Sequence, residues 1–349
     1  MTNSNAVLRL QKQLDEERRL VSFDSYDMTV RQIFDMFVEG AIFVPPEYQR
    51  QFVWDIERES ELIESILLGI PVPSLFMATN SDSTWEIVDG VQRLSTIVHF
   101  IDPSPDFLAR ITRKIGLKIT GLEKLTELNG FVFSDLAKSV QLMFMTRPIR
   151  VTVLNDKSDL SVRFDLFERL NTGGVLLTNQ EIRNCIFRGV FNQDLKKLSK
   201  SADFNTAVRL KESALQNGMI EEYVLRFFAY LDNHEKFDGS VKFFLNDYMK
   251  ANSNSNIPAK KMTLFRKTFA ALADAYPNGI TRGQSSTTGA NLYEALAVGV
   301  ALAIMAGKTI SSKILAALAE DAELKKLTTA GTNSRRMVLS RITFVRDAF

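Results

Sequence analysis

Apolar residues recur along the first half of this chain with a mixture of helical and strand spacing, and along the second half with helical spacing alone. Val7, Leu10 and Leu14 share one side of a densely charged segment and predict an amphipathic helix over residues 6–20. Thr29 is placed to cap a second helix, TVRQIFDMFVEG, ending at Gly40. The segment AIFVPPEYQRQFVW is extended, because Pro45 and Pro46 forbid helix. Asp55 then caps a helix with Leu62, Ile63, Ile66 and Leu67 on its buried face, and Gly69 and Pro71 stop it. VPSLFMAT and TWEIVDG read as two strands joined by the polar turn NSDS. A helix starts immediately after Gly90, with Val91, Leu94, Val98 and Ile101 on one face.

Further strands are expected near residues 117–120 and 149–154, and helices near 134–145 and 158–170. After the tight turn Asn171-Thr172-Gly173-Gly174, Thr178 and Glu181 have capping-box spacing. Beyond about residue 190 strand signals vanish, and polar loops at 251–258 and 277–291 interrupt a helical pattern. The expected organisation is an α+β domain over residues 1–190 followed by an all-α region over residues 191–349.

Composition narrows the class without naming a function. At 349 residues, 45% hydrophobic and 24% charged, the chain has ample material for a core. A net charge of +2 does not by itself announce nucleic acid, so any basic surface must be local. The single cysteine, Cys185, rules out an internal disulfide framework and a cysteine-rich zinc site. No apolar run reaches membrane-spanning length, and the stretch from Ala295 to Ala306 fits a buried helix. The N-terminus has no signal-peptide apolar core. The expectation is a cytoplasmic protein without a membrane partner. The amphipathic first helix offers a surface for a homo-oligomer.

Three segments carry candidate chemistry. The sharpest is Trp85-Glu-Ile-Val-Asp-Gly-Val-Gln-Arg93, a strand turning through Asp89 and Gly90 directly into a helix. The first backbone N–H groups of a helix lack intrahelical acceptors, and the helix dipole draws anions to them. Arg93 in the first turn can fork onto phosphate oxygens, Asp89 can hold a metal ion or orient a water, and Gln92 can position a nucleophilic water. A plainer reading stands beside it: Asp89 caps the helix, Gly90 makes the turn, and Gln92 and Arg93 are solvated. The second segment presents Tyr48, Gln49, Arg50 and Trp54 on an extended stretch, where an arginine and aromatic rings could meet a nucleotide. The third holds Asn171, Gly173 and Gly174, whose backbone can approach a phosphate closely. Alone, the second segment reads more readily as an edge strand with amphipathic aromatics, and the third is also a plain helix–turn–helix joint whose capping box already accounts for Thr178 and Glu181. The two histidines, His99 and His234, cannot form a His-Asn-His nuclease or an HExxH zinc site, and His99 is expected to be a partly buried structural residue.

Taken in order, these segments resemble the N-terminal domain of GmrSD-type restriction endonucleases, which is similar in fold to the ParB and sulfiredoxin superfamily. That pattern runs Tyr-Gln-Arg-x-aromatic-x-Trp, Leu-Ile-x-Ser-Ile-Leu-x-Gly-x-Pro, Asp-Gly-Gln-Gln-Arg-Leu and Asn-x-Gly-Gly-x-x-Leu-Thr-x-x-Glu-x-Arg. Its counterparts here are residues 48–54, 62–71, 89–94 and 171–183. The resemblance implies a ParB/sulfiredoxin-like mixed sheet with helices. It also implies nucleoside triphosphate binding and hydrolysis coupled to restriction of foreign and often modified DNA, and hydrolysis of that kind is expected to use Mg2+. By position, Asp89, Gln92 and Arg93 would be catalytic, with Asp89 the magnesium ligand. Gly90, Tyr48, Gln49, Arg50, Asn171, Gly173 and Gly174 would bind the nucleotide. Two positions depart from the family: Val91 replaces the first glutamine of Asp-Gly-Gln-Gln-Arg, and the histidines of a C-terminal His-Asn-His domain are missing.

Three functions follow from this reading. The first is a nucleoside-triphosphate-hydrolysing component of a DNA restriction or anti-phage defence system, acting with a separate effector or nuclease chain. The second is a non-enzymatic nucleotide or nucleic-acid sensor that signals to a partner through its helical half. The third is a direct DNA nuclease.

Overall fold

The computed structural model describes residues 4–18, 22–45, 54–80, 82–111, 113–155, 160–170, 177–329, 331 and 333–349. They form two compact units, Met1–Leu177 and Thr178–Phe349. In the first, the helices are α1 (Ser4–Arg18), α2 (Val30–Val38), α3 (Ile56–Leu68), α4 (Val91–Ile101), α5 (Pro105–Arg110), α6 (Lys138–Met145) and α7 (Leu160–Leu170). The strands are β1 (Phe23–Thr29), β2 (Ile42–Phe43), β3 (Leu75–Thr79), β4 (Trp85–Asp89) and β5 (Pro148–Leu154). They make one mixed sheet in the order β1-β5-β3-β4-β2, and the expected α+β architecture is present.

Local chemistry sets the boundaries of the elements around the Asp-Gly turn. Thr29 closes a capping box on α2: its hydroxyl accepts from the Gln32 N–H at 3.2 Å, and Gln32 Oε1 accepts from the Thr29 N–H at 2.9 Å. Asp55 caps α3 by accepting from the Arg58 N–H at 2.8 Å, and Gly69, at φ +74°, ends it. Strands β3 and β5 run parallel with Leu75 opposite Val151 and Met77 opposite Val153, and all four side chains are buried. Helix α4 packs beside α3, and every residue from Val91 to Phe100 is buried except Arg93.

The structure adds one strand to the sequence reading and corrects another. Residues 23–29, which carry no strand signal, form β1 and pair antiparallel with β5 along their whole length. Residues 117–120 look like a strand because Leu117 and Ile119 alternate inward, yet no strand forms there. The backbone there bonds to a loop and a side chain instead: Ile119 N–H to the Phe131 carbonyl at 2.9 Å and Thr120 N–H to Ser60 Oγ at 3.0 Å.

Helices are the only regular secondary structure among the described residues of the second unit. Its helices are α8 (Asn179–Ile186), α9 (Val190–Leu198), α10 (Ala202–Ala207), α11 (Glu212–Gln216), α12 (Met219–Asn233) and α13 (Val241–Asn252). They continue as α14 (Ala259–Ala275), α15 (Ala290–Met305), α16 (Ser312–Leu318), α17 (Ala322–Thr328) and α18 (Arg335–Asp347). The capping box of Thr178 and Glu181 starts α8. Phe204, Phe227, Phe228, Phe265 and Phe269 pack as a ring cluster, with centroids 4.4 to 5.7 Å apart. Gly299 lets α15 and α18 touch, since a Cβ there would lie 2.6 Å from Val345 Cβ. A buried charge ladder runs Arg183–Glu222–Arg226–Glu294–Arg341 across α8, α12, α15 and α18. Among the described residues, no helix is long and apolar enough to cross a membrane.

Candidate functional site

Strand β4 delivers Asp89 to the point where the chain turns into α4. The turn is made by Gly90 at φ +97°, a conformation L side chains rarely adopt. Space demands glycine as well: a Cβ at this position would lie 2.5 Å from Leu75 Cδ2 and 3.2 Å from Arg93 Nη2. Gly90 is therefore the N-cap residue, and no side chain caps the helix. The plainer expectation that Asp89 caps α4 is corrected by its actual partner. Asp89 Oδ2 accepts from Arg93 Nη2 at 2.7 Å, and Arg93 Nη1 donates to the Ser74 carbonyl at 3.0 Å.

Nor are Gln92 and Arg93 solvated. The Arg93 side chain is 12% exposed and that of Asp89 28%, so their ion pair sits at the rim of the core. Gln92 is 8% exposed, and its Oε1 accepts from the Trp54 N–H at 3.3 Å. Val91, at the position of the family's first glutamine, is buried. The four residues Asp89, Gly90, Gln92 and Arg93 are thus gathered at one helix N-terminus. Around it the first amides need acceptors from outside the helix, and the dipole is positive.

Arg93 spends two of its five N–H donors on Asp89 and Ser74; among the described residues the other three have no partner. Asp89 offers Oδ1 as one oxygen ligand. A magnesium ion bound through one carboxylate, phosphate oxygens and waters would fit that donor set. No group of three metal-binding side chains occurs among the described residues, so an all-protein cage is not available there.

The remaining expected site residues, Tyr48, Gln49, Arg50, Asn171, Gly173 and Gly174, lie outside the described residues. Helix α7, which precedes the last three, packs on β4 through a core that includes Phe164 and Phe167. The structure adds partners that the sequence did not single out. Ser74 contributes through its carbonyl, which carries no residue signature. Glu59 and Arg113 join His99 in a cluster beneath Trp54, and His99 is fully rather than partly buried, at 1% exposure.

One family model matches the part of the chain that carries this turn. Residues 30–188 match the model of the GmrSD restriction endonuclease N-terminal domain. Over these residues the chain is similar to the GmrSD N-terminal domain. The match covers just under half of the chain and takes in α2 through α8, including the whole Asp-Gly turn and the Thr178 capping box. Curated proteins yield no match to the chain. The GmrSD domain points to a role in a restriction system, and such a family acts on DNA.

Proposed function

We propose that the GmrSD domain binds a nucleoside triphosphate at the N-terminus of α4 and hydrolyses it within a DNA restriction or defence system. One observation carries the reading. Asp89, Gln92 and Arg93 are held half-buried or buried around a helix start that no side chain caps. A cation in the first turn works against the helix dipole, so Arg93 is better explained by an anion than by helix stability. The free N–H donors of Arg93 and the first-turn amides would grip phosphate oxygens. Gln92, fixed by the Trp54 N–H, would orient the water that attacks the terminal phosphorus and displaces the nucleoside diphosphate. Asp89 would hold magnesium, which when bound neutralises charge on the phosphates.

DNA cleavage would then reside in a separate effector or nuclease chain, and the protein would work in the cytoplasm. The second reading, a nucleotide sensor without turnover, draws on Val91, whose buried apolar side chain stands where the family has glutamine. Calorimetry with non-hydrolysable triphosphate analogues tests the site in either case. Binding by the wild type that Arg93→Ala weakens tenfold or more, about 1.4 kcal/mol, supports it. Equal binding by both proteins would place the nucleotide elsewhere.

A further inference from the structure

Two side chains from separate parts of the sequence, Gln92 and Arg113, meet at the peptide groups of Trp54, and two more, Glu59 and His99, stand behind Arg113. Its N–H donates to Gln92 Oε1 at 3.3 Å, and its carbonyl accepts from Arg113 Nη2 at 2.5 Å. The same guanidinium donates to Glu59 Oε1 at 2.7 Å. Glu59 Oε2 lies 2.6 Å from His99 Nδ1, and His99 Nε2 lies 2.9 Å from the Ile115 carbonyl. Glu59 is wholly buried, His99 is 1% exposed, and the Arg113 side chain is 27% exposed.

Hydrogen-bond logic fixes the character of this cluster. A carbonyl can only accept, so His99 Nε2 donates to Ile115. Nδ1 lies against the Glu59 carboxyl group, whose other oxygen takes the bond from Arg113. Glu59 is thus held from both sides, by His99 and by Arg113. Burying a cluster of ionisable groups is an inefficient way to stabilise a fold, because apolar residues of similar volume usually serve as well or better. What apolar residues cannot supply is a directed grip on a main-chain carbonyl. Trp54 is where that grip ends, and its other peptide group holds Gln92.

We propose that Glu59, His99 and Arg113 are positioning residues for the GmrSD site. His99 locks the Glu59 carboxylate, Glu59 orients the Arg113 fork, and Arg113 fixes the Trp54 peptide. The Trp54 N–H then sets the angle of the Gln92 amide at the start of α4. The kinetic consequence rests on the hydrolytic reading above, whereas the structural consequence does not.

The experiment therefore has two arms, both in a Trp85→Phe background that leaves Trp54 as the sole tryptophan. In the first arm, Trp54 emission and quenching by iodide are compared for the parent, Arg113→Met, Arg113→Lys, His99→Gln and Gln92→Ala. The expected result is increased exposure of Trp54 in Arg113→Met and Gln92→Ala, with partial recovery in Arg113→Lys. Nitrogen-15 spectra of the two histidines should show the Nε2 of His99 protonated, assigned by the loss of one set of signals in His99→Gln. A His99 ring without a hydrogen on Nε2, or Trp54 emission unmoved in Arg113→Met, overturns the proposal whether or not the protein hydrolyses nucleotide.

In the second arm, phosphate release is followed in the same variants. Misplacing Gln92 by a fraction of an ångström should lower kcat by roughly ten- to hundredfold with KM nearly unchanged. The double variant Gln92→Ala/Arg113→Met should be no slower than Gln92→Ala alone, because both act through one side chain. Additive losses in kcat would overturn the positioning role. Absence of turnover in the parent would count against the hydrolytic reading, and the fluorescence and histidine spectra would still decide the positioning claim. If Arg113→Met fails to fold, Arg113→Lys and His99→Gln give the same comparison.

Discussion

Replacing Gly90 by alanine adds one methyl group at the hinge of the site, and the structure sets its cost. The first contribution is backbone strain, since alanine at φ +97° sits in a region that disfavours L residues by about 1–2 kcal/mol. The second is overlap: the new Cβ would be 2.5 Å from Leu75 Cδ2 and 3.2 Å from the Arg93 guanidinium. Overpacking of that kind costs about 1–3 kcal/mol. A control is built into the same unit. Gly40 has φ +79° and nothing within 4 Å of an added Cβ, so Gly40→Ala carries the strain without the overlap. The predicted loss is about 1–2 kcal/mol for Gly40→Ala and about 2–5 kcal/mol for Gly90→Ala. Both tryptophans of the chain, Trp54 and Trp85, lie in the first unit, so their fluorescence during urea unfolding reports that unit alone. Gly90→Ala no more destabilising than Gly40→Ala would refute the packing of Leu75 and Arg93 around the turn. Nucleotide binding by Gly90→Ala should also fall, because Arg93 is the neighbour pushed aside.

Other consequences are spread over the molecule. Glu294 is 1% exposed and takes bonds from Arg226, at 2.6 Å, and from Arg341. Glu294→Gln leaves three guanidinium groups facing one carboxylate. A loss of about 3–5 kcal/mol, or roughly 10 °C in Tm, is expected for the helical unit by circular dichroism. Less than 1 kcal/mol would show that the ladder contributes little. Within that ladder, burial opposes the charge on Glu222, but Arg226 and Arg183 outweigh it and hold its carboxyl below the usual range. Its stabilisation is therefore complete above the ordinary carboxylate range and disappears as pH falls through the lowered value. Acid unfolding of Glu222→Gln should accordingly be less steep than that of the wild type. At the alkaline end, burial pushes Tyr223 up to about 12 and raises Tyr230, Tyr248, Tyr276 and Tyr293 further. Neutral phenols stabilise the fold fully below pH of about 10 and lose that effect as pH rises beyond it. Absorbance near 295 nm should show these five ionising together with unfolding, and early independent ionisation would contradict their burial.

How much of this could be read from the sequence depended on which atoms carry the interaction. Asp55, Gly69, Gly90 and Thr178 announced their turns because cap and left-handed positions select few residue types. The Asp-Gly helix was legible for the same reason, and Arg93 stood out as a cation at the wrong end of a helix. Strand β1 was not legible, since five of its seven residues are exposed and no face of FDSYDMT alternates. Residues 117–120 mislead in the opposite sense: Leu117 and Ile119 alternate into the core, but the N–H groups of Leu117, Ile119 and Thr120 bond the His99 carbonyl, the Phe131 carbonyl and Ser60 Oγ instead of a neighbouring strand. At the site itself, Ser74 and Trp54 act through main-chain groups that any residue possesses. The full burial of His99 has no local signature because its partners, Glu59 and the Ile115 carbonyl, are 40 residues before it and 16 after it in the chain.

The central claim is that the start of α4 turns over a nucleoside triphosphate with Arg93 as its anion grip. Release of inorganic phosphate from each common triphosphate, with magnesium and with and without DNA, tests it most directly in the wild type and Arg93→Ala. The account predicts turnover by the wild type that falls at least about a hundredfold in Arg93→Ala, comparable to losing one preorganised donor to a developing charge. Turnover that survives Arg93→Ala unchanged, or none with any triphosphate, would contradict it.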